Sequence, residues 1–175
     1  MLVHWEYQQE GRNYGSFDII NGRSVNLKMK NDEETGVLND EKKLFTTAIE
    51  DMPGLSFICS SCGRRHSVDI EKLVVRSNIL DELVKGIMPF KNGRLLVISD
   101  NNTYEVLGRT VQERLEKEGF SFKSFMFETE GHNLLPDERS IGRLLFELEQ
   151  ETSLILAVGS GVLNDLARFI AYRTN

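Results

Sequence analysis

The stretch that most limits what this chain can fold into is residues 154–165, which read Leu-Ile-Leu-Ala-Val-Gly-Ser-Gly-Val-Leu-Asn-Asp. Small and branched apolar residues lead directly into two glycines, and apolar residues then recur at helical spacing. An unbroken apolar run predicts a strand that is buried on both faces, as in a parallel sheet. A glycine turn at the start of a helix lets a ligand approach free backbone N–H groups. The stretch therefore predicts a strand, turn and helix that can hold an anion, most often a phosphate.

The match of this turn to the dinucleotide fingerprint is incomplete. Gly159 and Gly161 supply the first two glycines of G-x-G-x-x-G, but Asn164 stands at the third position, where the fingerprint requires Gly or Ala. From the motif alone, an ordinary turn that needs small residues is an equally good interpretation.

Strand and helix patterns alternate regularly from about residue 67 onward. The strands are predicted at 68–75, 94–99, 120–127 and 154–158, and the helices at 78–88, 103–118, 137–150 and 162–173. Such alternation predicts an α/β fold, a Rossmann-like open and mostly parallel sheet with helices on both faces.

The first part of the chain is different, because it is polar and its apolar residues are scattered. We divide the chain into a peripheral N-terminal extension, residues 1–54, and a Rossmann-like domain, residues 55–175. Within the extension, the Asn21-Gly22 step predicts a hairpin over residues 16–30, since Asn-Gly between apolar residues is a strong hairpin signal. Residues 39–49 are interpreted as a short helix.

Charge and composition exclude several classes of function. The 175 residues carry a formal net charge of −6, which argues against general binding to nucleic acid or to a membrane surface. No apolar stretch approaches the length of a membrane span, and the N-terminus lacks the pattern of a signal peptide. With two cysteines in the chain, the expected location is cytoplasmic.

Asp100 directly follows the strand predicted at 94–99. Because parallel strands end at one edge of a sheet, we expect Asp100 and the glycine turn to share that edge. A carboxylate there can accept hydrogen bonds from a ribose diol and repel a 2′-phosphate, which favours NAD over NADP. The alternative, slightly favoured by local geometry, is that Asp100 caps the following helix.

Cys59, Cys62 and His66 form a C-x-x-C-x-x-x-H pattern. A structural zinc site needs four ligands, so His4 or a carboxylate would have to complete it. Without a second C-x-x-C, the sequence favours a pair of reduced thiols over a metal site.

Several segments of the chain carry a resemblance to a known family. They are residues 100–104 with Gly108, the run 159–169, the stretch from Cys59 to His66, and Leu135-Pro136-Asp137-Glu138. Over residues 55–175 the chain resembles bacterial sn-glycerol-1-phosphate dehydrogenases. These enzymes belong to the superfamily of dehydroquinate synthase and the iron-containing alcohol and glycerol dehydrogenases.

The resemblance implies a domain that binds NAD, or NADP, followed by a helical domain with a divalent metal held by one Asp and two His. Asp100 would then meet the adenosine ribose. The residues implied to wrap the pyrophosphate are Gly159, Ser160, Gly161, Val162 and Leu163. The intact enzyme would act on glycerol phosphate or dihydroxyacetone phosphate.

The sequence stops at Asn175, before the metal domain of the resembled enzymes. We therefore expect a truncated dehydrogenase, with no catalytic residues of its own and no turnover. Apolar surface left without its partner domain would favour a homo-oligomer. Two alternatives stay open, a non-catalytic nucleotide- or phosphate-binding module and a structural remnant without a ligand.

Overall fold

A computed structural model describes residues 2–9, 12–20, 37–38, 46–68, 70–76, 79–129 and 133–174. For residues 2–9, 12–20, 37–38 and 76, the description covers the backbone alone. No helix in these ranges is both long enough and apolar enough to cross a membrane.

Within the described residues, six strands form the main sheet and three form a small one. The strands in chain order are β1 (Leu2–Gln9), β2 (Arg12–Ile20), β3 (Val37–Leu38), β4 (Ser56–Ile58), β5 (Arg65–Ser67), β6 (Lys72–Arg76), β7 (Arg94–Asp100), β8 (Ser121–Phe127) and β9 (Thr152–Gly159). The main sheet has the order β6-β1-β2-β9-β7-β8, and the small sheet has the order β3-β4-β5. β9, β7 and β8 are parallel neighbours, which confirms the predicted parallel sheet.

The helices alternate with the later strands as the sequence predicted. They are α1 (Leu80–Ile87), α2 (Asn101–Thr103), α3 (Arg109–Lys117), α4 (Glu138–Glu147) and α5 (Gly161–Arg173). A π-helical turn, Tyr104–Gly108, joins α2 to α3, so these three pieces form one continuous helical segment. Short 3₁₀ helices lie at Ile49–Asp51 and Met88–Phe90.

The two faces of the sheet are covered by different helices. On one face, α1 and α3 pack through Leu83 and Val111 onto a cluster that includes Leu95 and Val97 of β7. On the other face, α4 and α5 pack onto a cluster that includes Leu96 and Ile98 of the same strand. Successive side chains of a strand point to opposite faces, so the continuous apolar run of β7 serves both cores. This arrangement confirms the Rossmann-like fold with helices on both faces.

An ion-pair cluster joins α1 to β6. Glu82 accepts hydrogen bonds from the ammonium groups of Lys72 and Lys85, each at 2.9 Å. These two lysines, Lys72 first, lower the pKa of Glu82 to about 2.

The N-terminal strands pair with the main sheet. β2 runs antiparallel to β9, with Ser16 opposite Gly159, and β1 runs parallel to β6. β1 and β2 form an antiparallel hairpin that the sequence did not predict. The hairpin predicted over residues 16–30 stays a prediction, because the Asn21-Gly22 step lies outside the described residues. Most of the helix predicted at 39–49 also lies outside them. The division of the chain at residue 54 stays a prediction.

Candidate cofactor-binding site

The candidate site is the crevice at the carboxyl ends of β7 and β9, two parallel neighbours in the sheet. The helical segment after β7 packs on one face, whereas α5, after β9, packs on the other. In open α/β sheets, such a reversal of direction at the carboxyl ends of the strands is where ligands bind.

Gly159 lies in close contact with Thr103 and Leu163 at this edge of the sheet. Its φ of +146° is an angle that L side chains rarely adopt, and an added Cβ would come within 2.6 Å of Thr103 Cγ2 and 2.7 Å of Leu163 Cδ1. The turn therefore requires glycine for two reasons, its backbone angle and its contact with Thr103. This contact brings the end of β9 against α2.

Gly161 faces open space, because an added Cβ would meet no atom within 4 Å among the described residues. Ser160 is the N-cap residue of α5, but its side chain makes no capping hydrogen bond. The first N–H groups of a helix have no partner within the helix, and they carry the positive end of its dipole. The N-terminus of α5 can therefore accept an anion at an exposed position, next to the glycine turn.

The predicted pyrophosphate residues do not all present their side chains at this position. Ser160 and Gly161 are exposed, and Val162 is half-buried. The Leu163 side chain is fully buried in the core beneath α5, so only its backbone N–H is available to a ligand. Asn164, at the position of the third fingerprint glycine, has a buried Oδ1 without a hydrogen-bond partner in the described part of the chain.

Asp100 lies at the same edge of the sheet as the glycine turn, and it is 7% exposed. Its Oδ1 accepts a hydrogen bond from Thr103 N at 2.8 Å, and its own N–H donates to Thr103 Oγ1 at 3.0 Å. These reciprocal bonds form a capping box. The helix cap that the sequence favoured for Asp100 is thus present. The cap uses Oδ1 and leaves the role of Oδ2 toward a ribose as a prediction.

Sequence reasoning assigned no role to Thr103 or Asn101, yet both organise the crevice. Thr103 caps the helix with Asp100 and also contacts Gly159. Asn101 Oδ1 accepts hydrogen bonds from the backbone N–H and the hydroxyl of Thr129, in the loop after β8. The D-x-x-T spacing could have predicted the helix cap. No local sequence pattern predicts the contact of Thr103 with Gly159 or that of Asn101 with Thr129.

Cys59, Cys62 and His66 lie together at the other predicted site. Their ligand atoms are all within 4.8 Å of one another, and Cys62 Sγ is 3.1 Å from His66 Nε2. Neither cysteine forms a disulfide. The C-x-x-C-x-x-x-H pattern thus corresponds to a real cluster in the turn between β4 and β5.

The fold and this crevice define a class of protein, the α/β proteins with a Rossmann-like sheet and a glycine turn at a helix N-terminus. Within that class, the family model described as iron-containing alcohol dehydrogenase matches residues 74–175. The chain belongs to the iron-containing alcohol dehydrogenase family.

Curated relatives agree with this assignment. A glycerol-1-phosphate dehydrogenase (NAD(P)+) of Bacillus subtilis (strain 168) is 30% identical over 107 residues, which are 61% of this chain and 27% of that enzyme. The enzyme of the same name from Bacillus velezensis is 32% identical over 110 residues, 62% of this chain and 28% of the relative.

A 3-dehydroquinate synthase of Lactococcus lactis subsp. cremoris (strain SK11) is 38% identical over 86 residues, 47% of this chain and 24% of that protein. The chain therefore spans less than a third of the length of these curated relatives. No solved structure matches the chain.

Proposed function

We propose that this chain binds a nicotinamide dinucleotide and is the cofactor-binding part of an oxidoreductase similar to glycerol-1-phosphate dehydrogenase. This proposal rests on the N-terminus of α5, which begins at the exposed Gly161 and receives no capping hydrogen bond from the Ser160 side chain. The contact between Gly159 and Thr103 supports it further, because Thr103 also holds Asp100 in place.

The residues of the crevice fit such a cofactor. The pyrophosphate would accept hydrogen bonds from the first N–H groups of α5, in the space that a side chain at Gly161 would occupy. The adenosine ribose would donate to Asp100 Oδ2, and the carboxylate would disfavour a 2′-phosphate, so that NAD binds more tightly than NADP. When bound, the nicotinamide supplies hydride exchange with a substrate.

For the whole enzyme, we propose oxidation of the secondary alcohol of a glycerol phosphate, or the reverse reduction of dihydroxyacetone phosphate, with a divalent metal. The resemblance implies that one Asp and two His hold that metal. Within residues 74–175, which the family model matches, the proposed role is to bind the cofactor.

Large apolar side chains are exposed on the helices of one face of the sheet. Phe146 on α4 is 89% exposed and Tyr172 on α5 is 80% exposed. Exposed aromatic residues of this kind support the expectation that this surface is covered in the assembled enzyme. Association of the chain into a homo-oligomer stays a prediction.

The test is a calorimetric titration of the chain and of the variant Gly161→Val with NAD⁺, NADH, NADP⁺, ATP and inorganic phosphate. The valine would occupy the open space before α5 and weaken NAD(H) binding by at least about 10-fold, or about 1.4 kcal/mol. The matched control is Gly142→Val on α4, where an added Cβ also meets no atom within 4 Å. It should leave the affinity unchanged.

Each outcome of the titration separates the candidate functions. NAD(H) binding that is lost in Gly161→Val and kept in Gly142→Val supports the proposal. Equal binding by both variants would place the cofactor elsewhere and refute it. Binding of ATP or phosphate without NAD(H) would indicate a general phosphate-binding module, and no binding of any of them would indicate a structural remnant.

A further inference from the structure

The turn between β4 and β5 carries a cluster that the proposed cofactor site does not use. We propose that Cys59 Sγ, Cys62 Sγ and His66 Nε2 bind one Zn²⁺ ion, with water completing a tetrahedral site. This site is separate from the crevice in its residues and in its chemistry.

The distances between the ligand atoms are close to those that zinc requires. With Zn–S near 2.3 Å and Zn–N near 2.0–2.1 Å, tetrahedral ligand atoms lie about 3.5–3.8 Å apart. In this chain the three atoms lie within 4.8 Å of one another, and the Cys62 Sγ to His66 Nε2 distance is 3.1 Å. Displacements of about 1 Å or less would form the site, which side-chain rotation can supply.

The backbone of the turn holds the two cysteines in this arrangement. Cys59 N donates to Arg64 O and Gly63 N donates to Cys59 O, both at 2.9 Å. Gly63 has a φ of +66°, and an added Cβ there would meet no atom of the described residues within 4 Å. Glycine at this position therefore serves the left-handed turn itself, since crowding does not require it. The turn returns the chain so that β5 carries His66 back to the thiols.

The imidazole is positioned independently of the thiols. The His66 ring stacks against Phe57 of β4, with ring centroids 5.6 Å apart and an interplanar angle of 29°. Phe57 and His66 are also opposite each other in the register of the hairpin. An ordered ring loses less conformational entropy when it binds a metal, which favours binding.

The small sheet has little apolar burial to stabilise it. All three residues of β5 are exposed, and Ile58 of β4 is 47% exposed. Among the described residues, neither hydrophobic cluster includes a member of β4 or β5. A hairpin of this size is marginally stable in water, and a structural metal is one of the ways in which small units gain stability.

The donor set selects the metal. Thiolate sulfur and imidazole nitrogen suit Zn²⁺ better than they suit Mg²⁺ or Ca²⁺, which prefer oxygen ligands. Two thiolates also neutralise the two charges of the ion while the imidazole stays neutral. Cys62 and His66 are exposed, so the fourth position is open to solvent water.

The test measures zinc in the full 175-residue chain, purified under reducing conditions without a histidine tag. After gel filtration, mass spectrometric metal analysis should find about one zinc ion per chain. Cys59→Ser, Cys62→Ser and His66→Ala should each lower this content by about 10-fold, the effect of losing one ligand of three. Ser61→Ala, an exposed position in the same turn, is the matched control and should keep its zinc.

A second measurement keeps the proposal falsifiable if a variant does not fold. The unmutated chain is stripped with a chelator and titrated with Co²⁺, whose visible absorption distinguishes tetrahedral from octahedral coordination and whose near-ultraviolet bands report bound thiolate. Tetrahedral cobalt with thiolate bands, displaced by zinc at one equivalent, supports the site. Absence of zinc from the purified chain, a Cys59–Cys62 disulfide by mass, or cobalt bound without thiolate bands would each overturn it.

Discussion

The helix cap formed by Asp100 and its proposed contact with the ribose can be separated by two substitutions. Asp100 Oδ1 accepts the hydrogen bond of Thr103 N at 2.8 Å, and its own N–H donates to Thr103 Oγ1 at 3.0 Å. Asparagine caps helices about as well as aspartate but has no charge, whereas alanine does not cap. Asp100→Asn therefore removes the charge alone, and Asp100→Ala removes both the charge and the cap.

The expected effects differ in kind and in size. Loss of the cap in Asp100→Ala should destabilise the fold by about 1–2 kcal/mol, which for a chain of this length lowers Tm by roughly 2–8 °C. Asp100→Asn should keep its stability within about 0.5 kcal/mol. A hydrogen bond to a charged group contributes about 1.5–3 kcal/mol, so either variant should weaken NAD⁺ binding by about 10-fold or more.

Thermal unfolding and calorimetry with NAD⁺ and NADP⁺ measure the two effects separately. If the carboxylate contacts the ribose, Asp100→Asn should lose NAD⁺ affinity at unchanged Tm. Its preference for NAD⁺ over NADP⁺ should also shrink, because the repulsion of the 2′-phosphate is gone. An Asp100→Asn variant that binds NAD⁺ as tightly as the unmutated chain would refute the ribose role and leave Asp100 as a helix cap.

Two further substitutions test the close contact at Gly159 and the ion-pair cluster of Glu82. Gly159→Ala should lower the free energy of unfolding in denaturant by about 2–4 kcal/mol, because it adds overpacking to backbone strain. The control is Gly119→Ala. Gly119 also has a positive φ, +74°, but an added Cβ there would meet no atom of the described residues within 4 Å. Equal costs at the two glycines would contradict the close contact. Glu82→Gln should lower Tm at pH 7, because the two lysine ammonium groups hold the folded pKa of Glu82 at about 2, below its ordinary value of 4.5. That stabilisation is complete above the ordinary pKa and is lost as the pH falls toward 2, so the Tm difference from the unmutated chain should narrow over that interval. The matched control is Glu116→Gln, at an exposed position of α3.

The strands and helices from β7 onward could be predicted because their apolar patterns match their burial. β7 and β9 are buried on both faces, and their sequences are accordingly continuous apolar runs. The helix starts were less accurate, since Asp100 acts as an N-cap and moves the start of the helical segment to Asn101.

The hairpin of β1 and β2 was not predicted, and the reason is physical. The hairpin prediction relied on the Asn21-Gly22 step, the strongest local hairpin signal in this part of the chain, and that step lies outside the described residues. The observed hairpin joins Leu2–Gln9 to Arg12–Ile20, and β2 pairs with β9, more than a hundred residues away in sequence. Strand formation depends strongly on such tertiary pairing, which a local pattern does not contain.

Topology explains why the shared edge of Asp100 and the glycine turn was predictable. Two parallel strands, each followed by a helix, place both loops at their carboxyl ends. The distance between the loops was not predictable, because it depends on the fit of Thr103 against a glycine without a Cβ. The sequence predicted that Gly159 lies at a ligand site, and the structure adds that Thr103 of the same chain lies beside this glycine.

This contact bears on how the cap and the ribose roles of Asp100 can coexist. A capping box fixes the carboxylate through Oδ1, so Oδ2 is oriented before any ligand arrives. Thr103 then joins the capped residue to the glycine turn, because the same side chain touches Gly159. A ligand that meets both loops would therefore find them already ordered, and the entropy of ordering them would not reduce its affinity. The helix cap therefore does not compete with the proposed ribose contact, because it supplies the rigidity that such a contact needs.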